Sequence, residues 1–218
     1  MNHSLLILIA ILLIPYTKTL SQIENKSLME SFKEKQLTSN DKLYDYDSIS
    51  KIYINYVYNI AFDAPDNWKI DFGVTKHSLL RGYDPDFGST FSIVVVEPSI
   101  EKSSTSDYWK FYTKQKDEFD NSFINNLRNQ ANVEPINYKS SMSYIKNFKS
   151  LKQVFEHRVI SGDLDYINYV IIQQVYRGKY LYTFTLQLPK FIYEQNSDFF
   201  NKIFNNINFT PDPETINY

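Results

Sequence analysis

The chain is predicted to fold as an α+β domain: a largely antiparallel sheet flanked by helices on both faces. Three observations predict it. Strand-like segments come first, then a long helical stretch, a meander of strands and a final helix. The run TFSIVVV, Thr90–Val96, is rich in β-branched residues, as a strand buried on both faces requires. Tyr180, Tyr182, Phe184, Leu186 and Leu188 alternate onto one face of a strand late in the chain.

The N-terminus reads as an address. Leu5–Ile14 is apolar but shorter than the roughly 20 residues a membrane-spanning helix needs, and Pro15 follows it. This fits a signal peptide over 1–21, with Thr19 and Ser21 as the small residues before a cut at Gln22. An uncleaved anchor is the alternative. Residues 22–50 are polar and charge-mixed and read as a linker or short helix, with Leu28, Phe32 and Leu37 as its apolar positions.

The single domain is expected over 51–210. Tyr53–Phe62 reads as one strand, ending at a turn around Pro65, and Trp68–Phe72 as a second. Gly82, Pro85 and Gly88 mark a loop before Thr90–Val96. A helix capped by Ser104 or Ser106 runs to about Asn129, with Trp109, Tyr112, Phe119, Phe123 and Leu127 at helical spacing. Strands follow over 133–145, Leu151–Ile160, Leu164–Tyr176 and Lys179–Leu188, with turns at Ser161-Gly162-Asp163 and Arg177-Gly178. A last helix over 191–206 places Ile192, Phe199, Ile203 and Ile207 on one face, and 211–218 is a fraying tail.

Composition removes several functions. The net charge is −2 and the chain has no cysteine. Nucleic acid is not an expected partner, because its binding needs a clustered basic surface. Thiolate catalysis, cysteine-ligated zinc and a lipid-modified N-terminal cysteine are excluded. The 18 tyrosines and 16 phenylalanines fit an AT-rich codon usage better than a dedicated ligand surface.

No catalytic, cofactor-binding or metal-ligating residues stand out. G-x-S-x-G, H-E-x-x-H, the P-loop and G-x-G-x-x-G are all missing from the sequence. His157 sits among strand residues and reads as a packed side chain; His77 reads as exposed. Asp41, Asp45 and Asp47 read as a solvated acidic loop. Asp84-Pro85-Asp86-Phe87-Gly88 lacks the glycine and terminal acid of a calcium loop, where Ser89 and Val95 stand instead.

Three stretches resemble the PsbP/Mog-type family: NIAFDAPDNW, then TFSIVVVEP with its following helix, then VFEHRVISGDLDYINYVIIQQVYRGKYLYTFTLQLP with a helix ending at Ile207-Asn208-Phe209. That family includes the extrinsic PsbP proteins of photosystem II, a Ran-GTPase-binding protein and exported bacterial proteins of the DcrB type. The resemblance implies an α/β/α sandwich used for docking onto larger partners, with no family-wide catalytic residues to transfer. The leader departs from the nuclear Ran-binding branch, and the missing cysteine from the lipoprotein members.

The expectation is therefore an exported, non-enzymatic accessory or binding protein, periplasmic or secreted. It needs no cofactor, spans no membrane after signal cleavage, and has another envelope protein as partner. A purely structural envelope component and a secreted hydrolase using two carboxylates are the alternatives; the oligomeric state stays open. The expected partner-binding residues are Tyr83, Asp84, Asp86 and Phe87, with Trp68 from the neighbouring turn, because loops on a rigid sheet carry function.

Overall fold

The computed structural model describes residues 44–75, 77–98 and 105–209. The expected leader, the linker up to Leu43, the Ser104 cap and the 211–218 tail lie outside them. The described residues form eleven strands in two antiparallel sheets, with three α-helices.

The small sheet has the order β1-β2-β3-β11, built from β1 (Tyr44–Asp47), β2 (Ile52–Asn55), β3 (Ile60–Asp63) and β11 (Ile207–Phe209). The large sheet has the order β4-β5-β6-β10-β9-β8-β7. Its strands are β4 (Lys69–Thr75), β5 (Ser78–Tyr83), β6 (Thr90–Val96), β7 (Ile136–Ile145), β8 (Phe148–Ser161), β9 (Leu164–Arg177) and β10 (Tyr180–Pro189). The helices are α1 (Thr105–Lys114), α2 (Lys116–Gln130) and α3 (Lys190–Ile203).

Strand alternation sorts the core. Along β6, Ile93 and Val95 join a cluster holding Phe62 and Ile207 of the small sheet and Phe200 and Ile203 of α3. Val94 and Val96 join another, with Tyr108, Trp109 and Tyr112 of α1 and Leu181 of β10. Phe123 and Leu127 of α2 pack on Phe155, Val170 and Ile172. The alternating set on β10 falls as expected: Tyr182, Phe184, Leu186 and Leu188 are buried in the first cluster, with Tyr180 against it.

Several expectations are corrected. Tyr53–Phe62 is a hairpin rather than one strand. Asn55 Oδ1 accepts the Tyr58 amide at 3.0 Å, and Asn59 sits at φ 50°, a left-handed position asparagine tolerates. Tyr44–Asp47, read as linker, is a strand paired with β2. Gly82 belongs to β5, so the loop itself runs from Asp84 to Ser89.

The long helix is two helices. Gln115, at φ −118° and ψ 30°, breaks it. Each half then follows its own stretch of a twisted sheet, α1 over Val94 and Leu181 and α2 over Phe155 and Val170. In α3, Asn196 is non-helical at φ −132° and ψ 28°, and its amide donates to the Ile192 carbonyl at 3.1 Å. The phase shifts by a residue there: Phe200 is fully buried, whereas Phe199 is 42% exposed. Ile207–Phe209 is a strand on β3 and not the end of a helix.

Candidate functional site

The Asp84–Ser89 loop is built around one carboxylate. Asp84 is 0% exposed. Its Oδ1 accepts the backbone amide of Asp86 at 2.9 Å, that of Phe87 at 3.4 Å and Asn67 Nδ2 at 3.2 Å. Its Oδ2 accepts Ser89 Oγ at 3.4 Å. The backbone closes the same turn: Asp84 N–H donates to the Ser89 carbonyl and Gly88 N–H to the Asp84 carbonyl, both at 2.9 Å. A buried carboxylate needs such donors, because unpaired it would be strongly destabilising.

Asn67 ties this loop to the Asp63–Trp68 turn. Its Nδ2 also donates to Asp86 Oδ2 at 2.8 Å. The two acids that the structure brings together here thus hold one amide, and Asp84 is spent on the backbone. That differs from a paired-carboxylate centre, where each acid faces a substrate bond.

Trp68 is the floor. It is 1% exposed, its amide donates to the Pro65 carbonyl at 3.0 Å, and its ring lies 6.3 Å from Phe91. A Cβ at Gly82 would sit 2.6 Å from Trp68 Cε3, so the indole passes where only a glycine leaves room. Trp68 packs the core beneath the loop and offers a partner no surface.

The remaining residues divide. Phe87 is half-buried and meets Phe200 edge-on at 5.9 Å, and Phe200 in turn meets Phe199 at 5.1 Å. Asp86 is exposed. Tyr83 is 38% exposed, but it lies opposite Thr90 and Lys69 and alternates away from Gly82. It therefore stands on the other face of the sheet from Trp68. Among the expected residues only Asp86 and part of Phe87 are accessible on the Trp68 side, with Phe199 exposed beyond Phe200.

His157 is buried and opposite Asn168 in register, with the Phe155 ring 6.2 Å away. Burial pushes its imidazole below the usual value, and Nε2 has no hydrogen-bond partner. Among the described residues no carboxylate pairs with it to orient it as a general base.

A second polar cluster, which sequence reading missed, joins α2 to β7. Asp120 Oδ1 accepts Tyr138 Oη at 2.8 Å and Oδ2 accepts Ser140 Oγ at 2.6 Å, with Lys116 paired to the same carboxylate. Gln153 Nε2 donates to Tyr138 Oη at 2.9 Å, and Tyr112 Oη donates to Ser140 Oγ at 3.3 Å. The hydrogen bond to Asp120 holds the Lys116 ammonium above its usual range. Burial pushes the Tyr138 phenol up. A cationic lysine and neutral phenols make this a staple between helix and strand. The readable signal was an acid on the inward face of α2, at the helical spacing of Phe123 and Leu127.

Among the described residues no group of three or more histidine, cysteine or acidic side chains could hold a metal, and no helix is long and apolar enough to cross a membrane.

No family model matches the chain, and no curated protein sequence matches it. Solved structures do. Cyanobacterial PsbP from Synechocystis sp. superposes with a TM-score of 0.51 at 14% identity, over 72% of this chain and 91% of that one. LpqN, involved in cell envelope biogenesis of Mycobacterium tuberculosis, gives 0.44 at 12% identity, over 70% of this chain and 83% of that one. The Saccharomyces cerevisiae Ran-binding protein Mog1p gives 0.39 at 8%, over 73% of this chain and 94% of that one. The chain has a PsbP/Mog-like fold. At these identities the likeness is one of fold, and function has to be argued from the site.

Proposed function

We propose that this protein is an exported, non-enzymatic accessory protein that docks onto another protein of the cell envelope. Residues 1–21 act as the leader, 22–43 as a linker, and the domain begins at Tyr44 as an α/β/α sandwich with helices on both faces of the large sheet. The leader composition supports export, and the resemblance to PsbP/Mog-type proteins supports docking.

One observation carries the reading: Asp84 is spent on holding its own loop. That loop is ordered by a buried carboxylate, and it presents Asp86 and Phe87 on a fixed frame, with Phe87 resting on Phe200 next to the exposed Phe199. A pre-ordered surface loses little entropy on binding. An aromatic strip with a charged rim is the usual composition of a protein-docking patch.

The test is cross-linked capture from envelope extracts, with the full chain as bait and the double variant Asp86→Arg, Phe87→Ala as control. One stoichiometric partner is expected, retained by the unaltered bait and reduced at least tenfold with the variant. Equal capture by both would remove this loop from the interface. Loss of the near-ultraviolet aromatic signal in the variant would mark misfolding, and Asp86→Arg alone then decides.

A further inference from the structure

Among the described residues the two sheets end in four edges, and three are blunted. Edge β4 is broken by a register shift between Phe72 and Thr75, with Gly73 at φ 61°. Among the described residues, edges β1 and β11 run for four and three residues. Such devices are how soluble proteins keep open strands from pairing.

Edge β7 lacks them over most of its length. From Lys139 to Ile145 it pairs with Val154 to Phe148 residue for residue, and its only register shift lies earlier, between Ile136 and Lys139. The stretch Tyr138–Ile145, YKSSMSYI, carries Lys139 as its one charge and has no proline. Lys139, Ser141 and Tyr144 are exposed, Tyr144 at 66%. The strand is also held in place, because Asp120 accepts both Tyr138 and Ser140 from it. An edge already fixed loses little freedom when another strand joins it.

We propose that β7 is a self-association edge: a second copy of this chain pairs antiparallel with it, joining two seven-stranded sheets into one. Symmetry fixes the geometry. Antiparallel edge-to-edge pairing requires a two-fold axis perpendicular to the sheet, so both copies keep α2 on the same side. Directly opposed residues must share a face, so the axis passes through a residue and not between two.

The sequence suits a second copy as occupant. With Ser141 on the axis, Tyr138 meets Tyr144, Lys139 meets Ser143 and Ser140 meets Met142. No like charges face each other. Two cross-strand tyrosine pairs form, each covering a Tyr144 ring that the single copy leaves exposed.

Sedimentation equilibrium on the full chain tests this, with monomer and dimer in exchange as the expected result. Ser143→Lys places a lysine opposite Lys139 twice across the axis and is expected to weaken the dimer at least tenfold. The chain has no cysteine, so Ser141→Cys introduces a single thiol on the axis. Opposed Cα atoms in antiparallel pairs stand about 4.5–5.5 Å apart, within reach of a disulfide. Mild oxidation should give a covalent dimer from Ser141→Cys and none from Ser161→Cys, at the far hairpin. A monomer at every concentration overturns the proposal, even if some other protein takes the edge. A dimer that neither Ser141→Cys captures nor Ser143→Lys weakens uses another surface and overturns it equally. If Ser143→Lys fails to fold, the oxidation result decides alone.

Discussion

The two sides of the large sheet are built differently. On the side facing the small sheet and α3, aromatic rings interlock: Phe62 stacks on Phe91 at 4.7 Å, and Phe204 meets Phe91 edge-on at 5.9 Å. On the side facing α1 and α2, apolar residues share the surface with Ser92, Gln153, Gln174, Thr183, Thr185, Asn168 and His157, all buried. Buried polar atoms without a partner follow the same division. Trp109 Nε1, Gln153 Oε1, Gln174 Oε1, Thr185 Oγ1 and His157 Nε2 lie on the helix-pair side, against Trp68 Nε1 on the other. Each such atom offsets part of what burial contributes. The difference teaches that burial on the helix-pair side is offset by more unpaired polar atoms than on the other, which weakens the hold of its helices.

Cavities of equal chemistry on the two sides break or sharpen that contrast most directly. Phe91 and Phe155 are both fully buried phenylalanines, one on each side. Phe→Ala in a core costs about 3–5 kcal/mol, depending on how far the site can relax. Phe91→Ala is expected at the upper end, since its ring is locked among Phe62, Trp68 and Phe204. Phe155→Ala is expected at the lower end, since its neighbours Gln153 and His157 can be hydrated when the site opens. Urea denaturation of both variants measures this. Equal losses, or the reverse order, would erase the asymmetry.

Much of this layout was legible in the sequence, and the failures have physical causes. Thr90–Val96 showed itself by its β-branched run between turn signals, and β10 by its strict alternation. The β2–β3 hairpin did not, because Tyr56, Val57 and Tyr58 favour strands while Asn55 and Asn59 supply the turn. Phe199 turns outward and Phe200 inward because one non-helical residue, Asn196, shifts the helical phase, while Ile203 and Ile207 stay buried as expected. For the candidate loop, the sequence located the residues but not their roles. Asp84 and Trp68 proved to be the frame, and only the structure shows an acid surrounded by donors or an indole pressed on Gly82.

A finer test compares two threonines on β10 that point to the same side. Thr183 Oγ1 accepts Gln174 Nε2 at 3.3 Å, whereas Thr185 Oγ1 has no partner. Valine has threonine's shape without its hydroxyl. Thr183→Val strands the Gln174 amide and is expected to destabilise by about 1 kcal/mol. Thr185→Val removes an orphaned atom and is expected to stabilise by a similar amount, about 1 kcal/mol. Thermal and urea unfolding of the pair give the two signs. If both variants lose stability, Thr185 has a partner and the polar side is better satisfied than its geometry indicates.

The smallest effect is a dependence on pH carried by His157. Burial holds its imidazole below the ordinary 6.5, and the weaker influence of an Arg158 backbone hydrogen bond acts in the opposite direction. The unfolded chain therefore takes up the proton first as pH falls. Stability is unaffected well above 6.5, declines as pH drops below it, and levels off once the folded imidazole is protonated too. Urea midpoints at pH 7.5 and 5.0 should differ in the unaltered protein, and His157→Gln should reduce that difference. Most carboxylates titrate below this window, which leaves the histidine as the main contributor on this face. Identical pH responses in both proteins would mean that the helix pair already admits water to His157. The polar side would then be open as well as weakly held.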